Sequence, residues 1–540
     1  MILVTGLLFV MTLGALSIMT VVGNSMTMAQ RREQNTEAFN MADSGVDLAK
    51  AWLGQQSAPP AESALQPLNN FFGSTGTISN PFGTSPGSSL TVRIDAGSTN
   101  TSATQKHYLV ESQAVLANGV TATVRAYLQQ ASFGKYAYFT VNDGGGFWDF
   151  NNHFEGPFHS NDADGLQSMF LWNSSYQTNP IFTYTGNDAF SVSGNVTWWK
   201  NTIGNTVPPS TVSDFKAVAS GGQATMTYGY KTDANGNYLL DGMGNKIPNS
   251  SAIPLPTTSY AQQYATLGLP IPATPPTTPS SAAPTHAGVT FVHGGGLYIH
   301  GDNQMALSVD SSGRQVITVT QGTTVQTVTV DLAANDTITT TQVGSKSTSV
   351  TSASVPNGLI YSDGNITSLH GTIANNVVSG GTTIPNAWTI ATDVAAGKNV
   401  TLSGSIKYLT PRNLSVPESA DTNFVTNAGL LGILSNHVGV ASGAGPNLEF
   451  DGSIFAAQTF DALDPTSPSG STGTMLSIGG VITQNAGVFA YADSSGNLTS
   501  GYQEQYHYDT RLANTPPPFF PTTGSHYDVV SWQRKQVLLN

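Results

Sequence analysis

Met1 to Gln30 carry no charged side chain, and then Arg31 and Arg32 arrive together. Ile2 to Val22 is almost unbroken apolar sequence, interrupted only by Thr, Ser and Gly. At about 1.5 Å rise per residue such a stretch spans roughly 30 Å, the thickness of a bilayer's hydrocarbon core. A cleaved secretory signal instead pairs a basic start with a short apolar core of roughly 7–15 residues. This run is too long for that pattern, so it reads as a helix retained in the membrane through Ile2 to Val22. The rest of the chain has a different character, and the two ends must fold in different solvents.

The helical pattern continues past the apolar run. Ala38, Ala42, Gly45, Val46, Ala49, Trp52 and Leu53 recur at three- and four-residue spacing, a stripe along one helix face. The first Pro is Pro59. The reading is one continuous helix over 1–53, about 80 Å long, half for lipid and half amphipathic.

Charge narrows the function classes. Lys plus Arg total 19 against 32 Asp plus Glu, a formal net charge of −13, with no basic patch to neutralise phosphates. Nucleic acid is therefore not an expected partner. The chain has no cysteine, which excludes disulfides, Cys-ligated zinc and Cys nucleophiles. Arg31 and Arg32 follow the apolar run, which by the positive-inside rule alone favours a cytoplasmic body. The long, weakly charged remainder, rich in Gly, Ser, Thr and Asn, outweighs that signal. The expected location is an inner-membrane anchor with the body exported to the cell surface.

Four regions follow the helix. Residues 54–89 are rich in Pro, Gly and Ser and read as a linker. Residues 90–251 begin with a hairpin: His107 to Ala117 and Val120 to Gln130 flank Asn118-Gly119, a type I′ turn signal. Val120, Ala122, Val124, Ala126 and Leu128 alternate with Thr121, Thr123, Arg125, Tyr127 and Gln129, as in a half-buried strand. The same region then becomes aromatic-rich, with Phe147, Trp148, Phe150, Phe154, Phe158, Trp172, Trp198 and Trp199. Residues 252–287 form a Pro-rich connector. From 288 to 540 short β-prone runs, such as Gln315–Gln321 and Gln326–Leu332, alternate with Gly/Asn/Asp turns. They predict the coils of a parallel β-solenoid, with a β-sandwich as the alternative. The fold class is thus mainly β with a long N-terminal helix.

Glu37 to Leu53 (EAFNMADSGVDLAKAWL), running directly out of the apolar helix, resembles the N-terminal region of PilX-type minor pilins and pseudopilins. The likeness centres on Ala42-Asp43-Ser44-Gly45-Val46. Taken as the leader glycine of that family, Gly6 puts Met11 at the fifth position after it, where major pilins carry Glu. The resemblance implies an inner-membrane anchor that, after processing, packs among other pilin or pseudopilin subunits, with the helix stripe seated on a hairpin. Further on, Phe154 to Asn161 (FEGPFHSN), Gly295 to Asp302 (GGLYIHGD), Tyr506 to Leu512 (YHYDTRL), Pro516 to Pro521 (PPPFFP) and Ser531-Trp532 are similar, in order, to an uncharacterised pilus-associated β-rich family. That likeness implies surface architecture and supplies no reaction.

The candidates for chemistry are sparse. Asp233, Asn235, Asn237 and Asp241 set oxygen ligands at alternate positions, as Ca²⁺ prefers. An EF-hand loop, however, has Gly sixth and Glu twelfth, where this chain has Tyr238 and Gly244. A plain turn is the reading, and neither a metal nor a cofactor is expected. Asn161-Asp162-Ala163-Asp164 is a second polar turn. His293 and His300 flank Gly294-Gly295-Gly296, so a hairpin would bring them near each other. Neither this glycine run nor Gly144-Gly145-Gly146 has the context of a phosphate loop, and no Gly-x-Ser-x-Gly elbow stands in a strand–helix setting. Asp363, Asp393, Glu449, Asp451 and Asp461 are scattered through the predicted coils, and the scarcity of basic residues disfavours a polysaccharide lyase.

The resulting expectation is a non-enzymatic, pilin-like component of a type IV pilus or type II secretion-like assembly. It would contact other subunits and a surface or glycan ligand. The alternatives are a membrane-anchored adhesin or envelope structural protein and, last, a β-helix polysaccharide lyase or hydrolase.

Overall fold

The helix α1 runs unbroken from Ile2 to Gly54, 53 residues. It is long and apolar enough to cross a membrane. The computed structural model describes residues 2–56, 60, 77–81, 86–96, 106–142, 152–161, 182–185, 189–192, 225–227, 236–239, 252–272, 275–276, 280–466, 472–492 and 498–535. Outside them lie most of the linker, the aromatics Phe147, Trp148, Phe150, Trp172, Trp198 and Trp199, the Gly144-Gly145-Gly146 run and the Asp162-Ala163-Asp164 turn. The chain is mainly β beyond α1, with mixed parallel and antiparallel sheets.

Two compact units emerge, residues 1–131 with 524–540, and residues 132–523. The boundaries read from composition, at 89/90, 251/252 and 287/288, follow Pro and Gly density. The units follow strand pairing instead, which brings the last strand of the chain back to the first sheet.

In the first unit, β1 (Thr77–Ser79), β2 (Ser89–Ala96), β3 (His107–Val115) and β4 (Thr121–Ser132) form an antiparallel sheet, extended beyond β4 by the C-terminal strand Thr522–Lys535. β1 falls inside the segment read as linker. The second half of α1 lies on this sheet. Ala38, Ala42, Val46, Ala49 and Leu53 are buried against Leu90, Val92, Val110, Ala114, Val124, Ala126 and Leu128. The alternation of β4 holds at Ala122, Val124, Ala126 and Leu128, while Thr123 on the other side is also buried. Arg125, pointing outward, pairs with Glu111 across the strands at 2.5 Å.

The β3–β4 turn is not type I′. That turn requires positive φ at both central residues, but here Gly119 alone has it, at 81°. Asn118 Oδ1 accepts from Val120 N–H at 3.1 Å, and Gly119 N–H donates to Leu116 O at 2.8 Å. This side-chain turn holds Asn118 in ordinary backbone geometry and leaves the left-handed position to the glycine.

The second unit is organised by parallel ladders. One runs, in spatial order, through Leu297–His300, Leu359–Ser362, Ala387–Thr392, Leu430–Val440, Asn447–Ala462, Thr472–Asn485, Tyr138–Asn142, Phe158–Ser160, Ala189–Val192 and Thr225–Thr227. A second joins Asn303–Val309, Ile366–Ile373 and Val400–Tyr408, and a third joins Thr472–Asn485 to Leu498–His507, Asn152–Glu155 and Phe182–Thr185.

In the first ladder each rung offers one residue to each of two cores. Leu297, Ile360, Ile390, Ile433, Ile454, Val481, Tyr138 and Phe158 stack in register on one side. Tyr298, Tyr361, Ala391, Leu434, Phe455, Ile482 and Phe139 stack on the other. Burial on both faces is why these segments read as apolar runs rather than alternating ones.

Two expectations change here. The runs Gln315–Gln321 and Gln326–Leu332 do not form parallel coils. With the strands Asp336–Val343 and Lys346–Ser352 they make an antiparallel stack. Gly322 and Gly344, at φ 58° and 59°, close its tight turns, and connections that short can only be antiparallel. The Pro-rich connector also contributes to the core. Tyr260–Thr266 is a helical turn, Ser259 Oγ donates to Thr392 O at 2.7 Å, and Gln262 Nε2 donates to Phe519 O at 2.7 Å.

Candidate functional site

The first candidate surface is α1 itself. Leu8 and, from Met11 to Met28, its other large apolar side chains stand exposed, Leu8 at 61% and Met19 at 73%. A Leu or Met left this open in water forgoes roughly 1.5–3 kcal/mol of burial, and the helix is long and apolar enough to cross a membrane. From Ala38, nearly two turns after Arg32, the same helix docks on protein.

That dock uses the cluster Ala42-Asp43-Ser44-Gly45-Val46. Ala42, Gly45 and Val46 are buried, and a Cβ on Gly45 would overlap Ser112 Oγ. Gly45 therefore lets the helix lie directly on β3. Asp43 Oδ1 accepts from Trp532 Nε1 at 2.9 Å, while the Trp532 ring meets Phe39 edge-on at 5.5 Å. Arg534 lies over the same Phe39 ring, 5.0 Å from its centre. Two elements noted separately at opposite ends of the sequence thus form one joint.

The remaining motifs prove to be rungs and corners of the second unit. In Phe154 to Asn161, Phe158 and His159 occupy the two stacked rows, and a Cβ on Gly156 (φ 116°) would overlap Tyr508. Asn161 clamps Ile253 through both of its amide atoms, at 2.6 and 2.8 Å. In Gly295 to Asp302, Leu297, Tyr298 and Ile299 form a rung, and Asp302 Oδ1 accepts from Asn365 N–H at 2.7 Å.

Tyr508 to Leu512 anchors the closing segment. Asp509 and Arg511 pair twice, at 2.8 and 2.7 Å, and Arg511 Nη1 donates to Ala428 O at 2.6 Å. Arg511 also lies 4.2 Å from the centre of the Phe424 ring. Glu418 receives Thr510 N–H and Oγ1–H, and its carboxyl is raised by burial, which outweighs those hydrogen bonds.

One element escaped the sequence reading. Ser362, Thr392, Ser435, Thr483, Thr140 and Ser160 are buried at one register position of six rungs, with Ala456 standing between Ser435 and Thr483. Ser362, Ser435, Thr483 and Thr140 each donate to the carbonyl two residues on, while Thr392 reaches Lys398 O. These hydroxyls sit where the chain bends, as within Leu430–Val440 at the register shift after Ser435. The available signal was a Ser or Thr at this register position in most rungs, with Ile299 and Ala456 among the exceptions, visible only once the runs are aligned.

The candidate chemistry is dispersed. Asp233, Asn235 and Asp241 lie outside the described residues, and Asn237 is exposed beside Gly236. Among the described residues no group of three or more His, Cys, Asp or Glu could hold a metal. The hairpin predicted around Gly294-Gly295-Gly296 forms, yet it separates its histidines. His293 sits in the turn, bonded to Ser354 Oγ at 3.1 Å, while His300 pairs with Gly288 at the far end of the strands. His300 Nδ1 meets Asp363 Oδ2 at 2.6 Å instead.

The other carboxylates have local partners. Asp393 Oδ1 accepts from Ala396 N–H, Glu449 pairs with Lys407 at 2.6 Å and Asp461 with His437 at 2.9 Å. Asp451 Oδ2 accepts from Tyr408 N–H at 2.7 Å, and its Oδ1 is buried without a partner. Burial first, then nearby Glu449, pushes the Asp451 carboxyl well above the usual range. Comparison with known protein families, curated proteins and solved structures finds no match.

Proposed function

We propose that the chain is a non-enzymatic, pilin-like subunit, a minor pilin or pseudopilin of a type IV pilus or type II secretion-like assembly. It is held in the inner membrane by the first half of α1 and displays a large, exported β body. The observation that carries this reading is the division of one helix into an apolar half, exposed from Met11 to Met28, and a half seated on an antiparallel sheet. A helix of that kind serves lipid before assembly and neighbouring helices after it. The parallel ladders support reading the body as a β-solenoid with an antiparallel excursion, since β-sandwiches are built from antiparallel pairs. The local engagement of Asp363, Asp393, Glu449 and Asp461 supports a structural rather than a catalytic role for them.

A photo-crosslinking amino acid at Met19, in cells with their pilus or secretion apparatus intact, tests the reading. The full chain should fractionate with the inner membrane and crosslink to pilin or pseudopilin subunits. Recovery of the intact chain from the soluble fraction, or crosslinks to lipid alone, would sink it.

A further inference from the structure

Four loops at one end of the antiparallel stack border an open cavity of about 150 Å³. It is lined by Arg314, Gln315, Asp331, Leu332, Asn375 and Asn386, among others, all within the second unit. Its polar groups are held in place. Asp310 accepts Ser312 and Arg314 N–H on Oδ1, at 2.9 and 3.0 Å, and Arg314 Nε on Oδ2 at 2.7 Å. Burial alone would raise the Asp310 carboxyl, but these bonds hold it below its ordinary range and fix the guanidinium. Arg314 Nη1 also stands 3.7 Å from Asp331 Oδ2.

The floor is an amide network. Gln315 and Asn386 are buried, with Gln315 Nε2 donating to Ser308 O and Thr372 O and Asn386 Nδ2 donating to Ala374 O. Asn375 Oδ1 is a buried acceptor without a partner. Val330, Leu332 and Val377 supply an aliphatic wall.

We infer that this cavity binds one neutral, hydroxyl-rich ring, a single monosaccharide unit. The size admits one ring, well below the roughly 300–1,000 Å³ of drug-sized sites. The charges select against ions: an anion would face Asp331, and a cation would face Arg314. A sugar hydroxyl both donates and accepts, so vicinal hydroxyls satisfy a carboxylate and a guanidinium together while the ring's C–H face covers the aliphatic wall. This inference is independent of how the chain is anchored.

Saturation-transfer NMR on the full chain in nanodiscs, with a panel of methyl pyranosides, tests it. At least one glycoside should receive saturation. Ala333→Trp, on the exposed rim, should abolish the transfer with the melting temperature unchanged. Asp331→Ala should weaken binding about tenfold, the worth of roughly one hydrogen bond. An oligosaccharide ending in the preferred unit, run alongside the free glycoside, separates a glycan terminus from a soluble sugar as the source. If no glycoside receives saturation, or the transfer survives both substitutions, the inference is overturned.

Discussion

The sheet under α1 and the ladders of the second unit bury apolar rows by opposite means. On α1 the buried face is set by the period of one element: Ala38, Ala42, Val46, Ala49 and Leu53 follow from 3.6 residues per turn. In the ladder the row Tyr298, Tyr361, Ala391, Leu434, Phe455, Ile482 exists only because distant strands share a register. A helix stripe tolerates local error, whereas a stacked row transmits it to the rungs above and below.

Phe455→Ala tests that difference most severely. The side chain is fully buried and meets Phe133 edge-on at 5.5 Å and Phe520 at 6.4 Å. Its truncation should cost about 3–5 kcal/mol. Hydrogen exchange should accelerate in Leu430–Val440 and Thr472–Asn485, the neighbouring rungs, and remain unchanged in β2 to β4. Equal acceleration in both units would break the comparison.

Gly45→Val is the reciprocal experiment. The added side chain must displace Ser112 and Val92, and overpacking of this kind costs about 1–3 kcal/mol. Exchange should quicken in β2 and β3 while the ladder strands keep their protection. Unchanged exchange in β2 and β3 would show that the helix does not need its close approach.

The same contrast governs what could be read in advance. The helix, its stripe and the β3–β4 hairpin were legible because their signals lie within a few residues of each other. The strand segments after Gly288 were legible one by one, but their pairing was not. Gln315–Gln321 looks like any rung, and the short turn at Gly322 is what makes it antiparallel. His293 and His300 invited a joint role from their spacing, which the strand length between them removes. The cavity around Arg314 draws on loops dispersed over the sequence between Ser312 and Asn386, so no local motif announces it.

Asp451 sharpens the comparison through pH, because the second unit buries a carboxyl with one oxygen unpaired. In the unfolded chain that group ionises near pH 4, while in the fold burial and Glu449 hold it well above. The folded state keeps the proton longer. Its contribution is complete below the unfolded value and is lost as pH rises through the folded one. Asp451→Asn has no proton to lose and retains an acceptor for Tyr408 N–H. The variant should gain on the parent between pH 5 and pH 8, by about 1–3 kcal/mol, the cost of an uncompensated buried polar group. Denaturant melts showing the same difference at both pH values would refute the assignment.

The smallest effect concerns the corner hydroxyls. Thr483 Oγ1 donates to Asn485 O at 2.8 Å from a buried site, whereas Thr121 Oγ1 donates to Gly119 O at 3.3 Å in an exposed turn of the first unit. Water replaces the second bond when it is lost but cannot reach the first. Thr483→Ala should therefore cost about 1 kcal/mol, and Thr121→Ala close to nothing. Thr483→Ser, which keeps the hydroxyl and drops only the methyl, should recover most of the loss. If it does not, the methyl's packing rather than the turn carries the effect, and the stacked hydroxyls are passengers of the ladder rather than the reason the chain bends beside them.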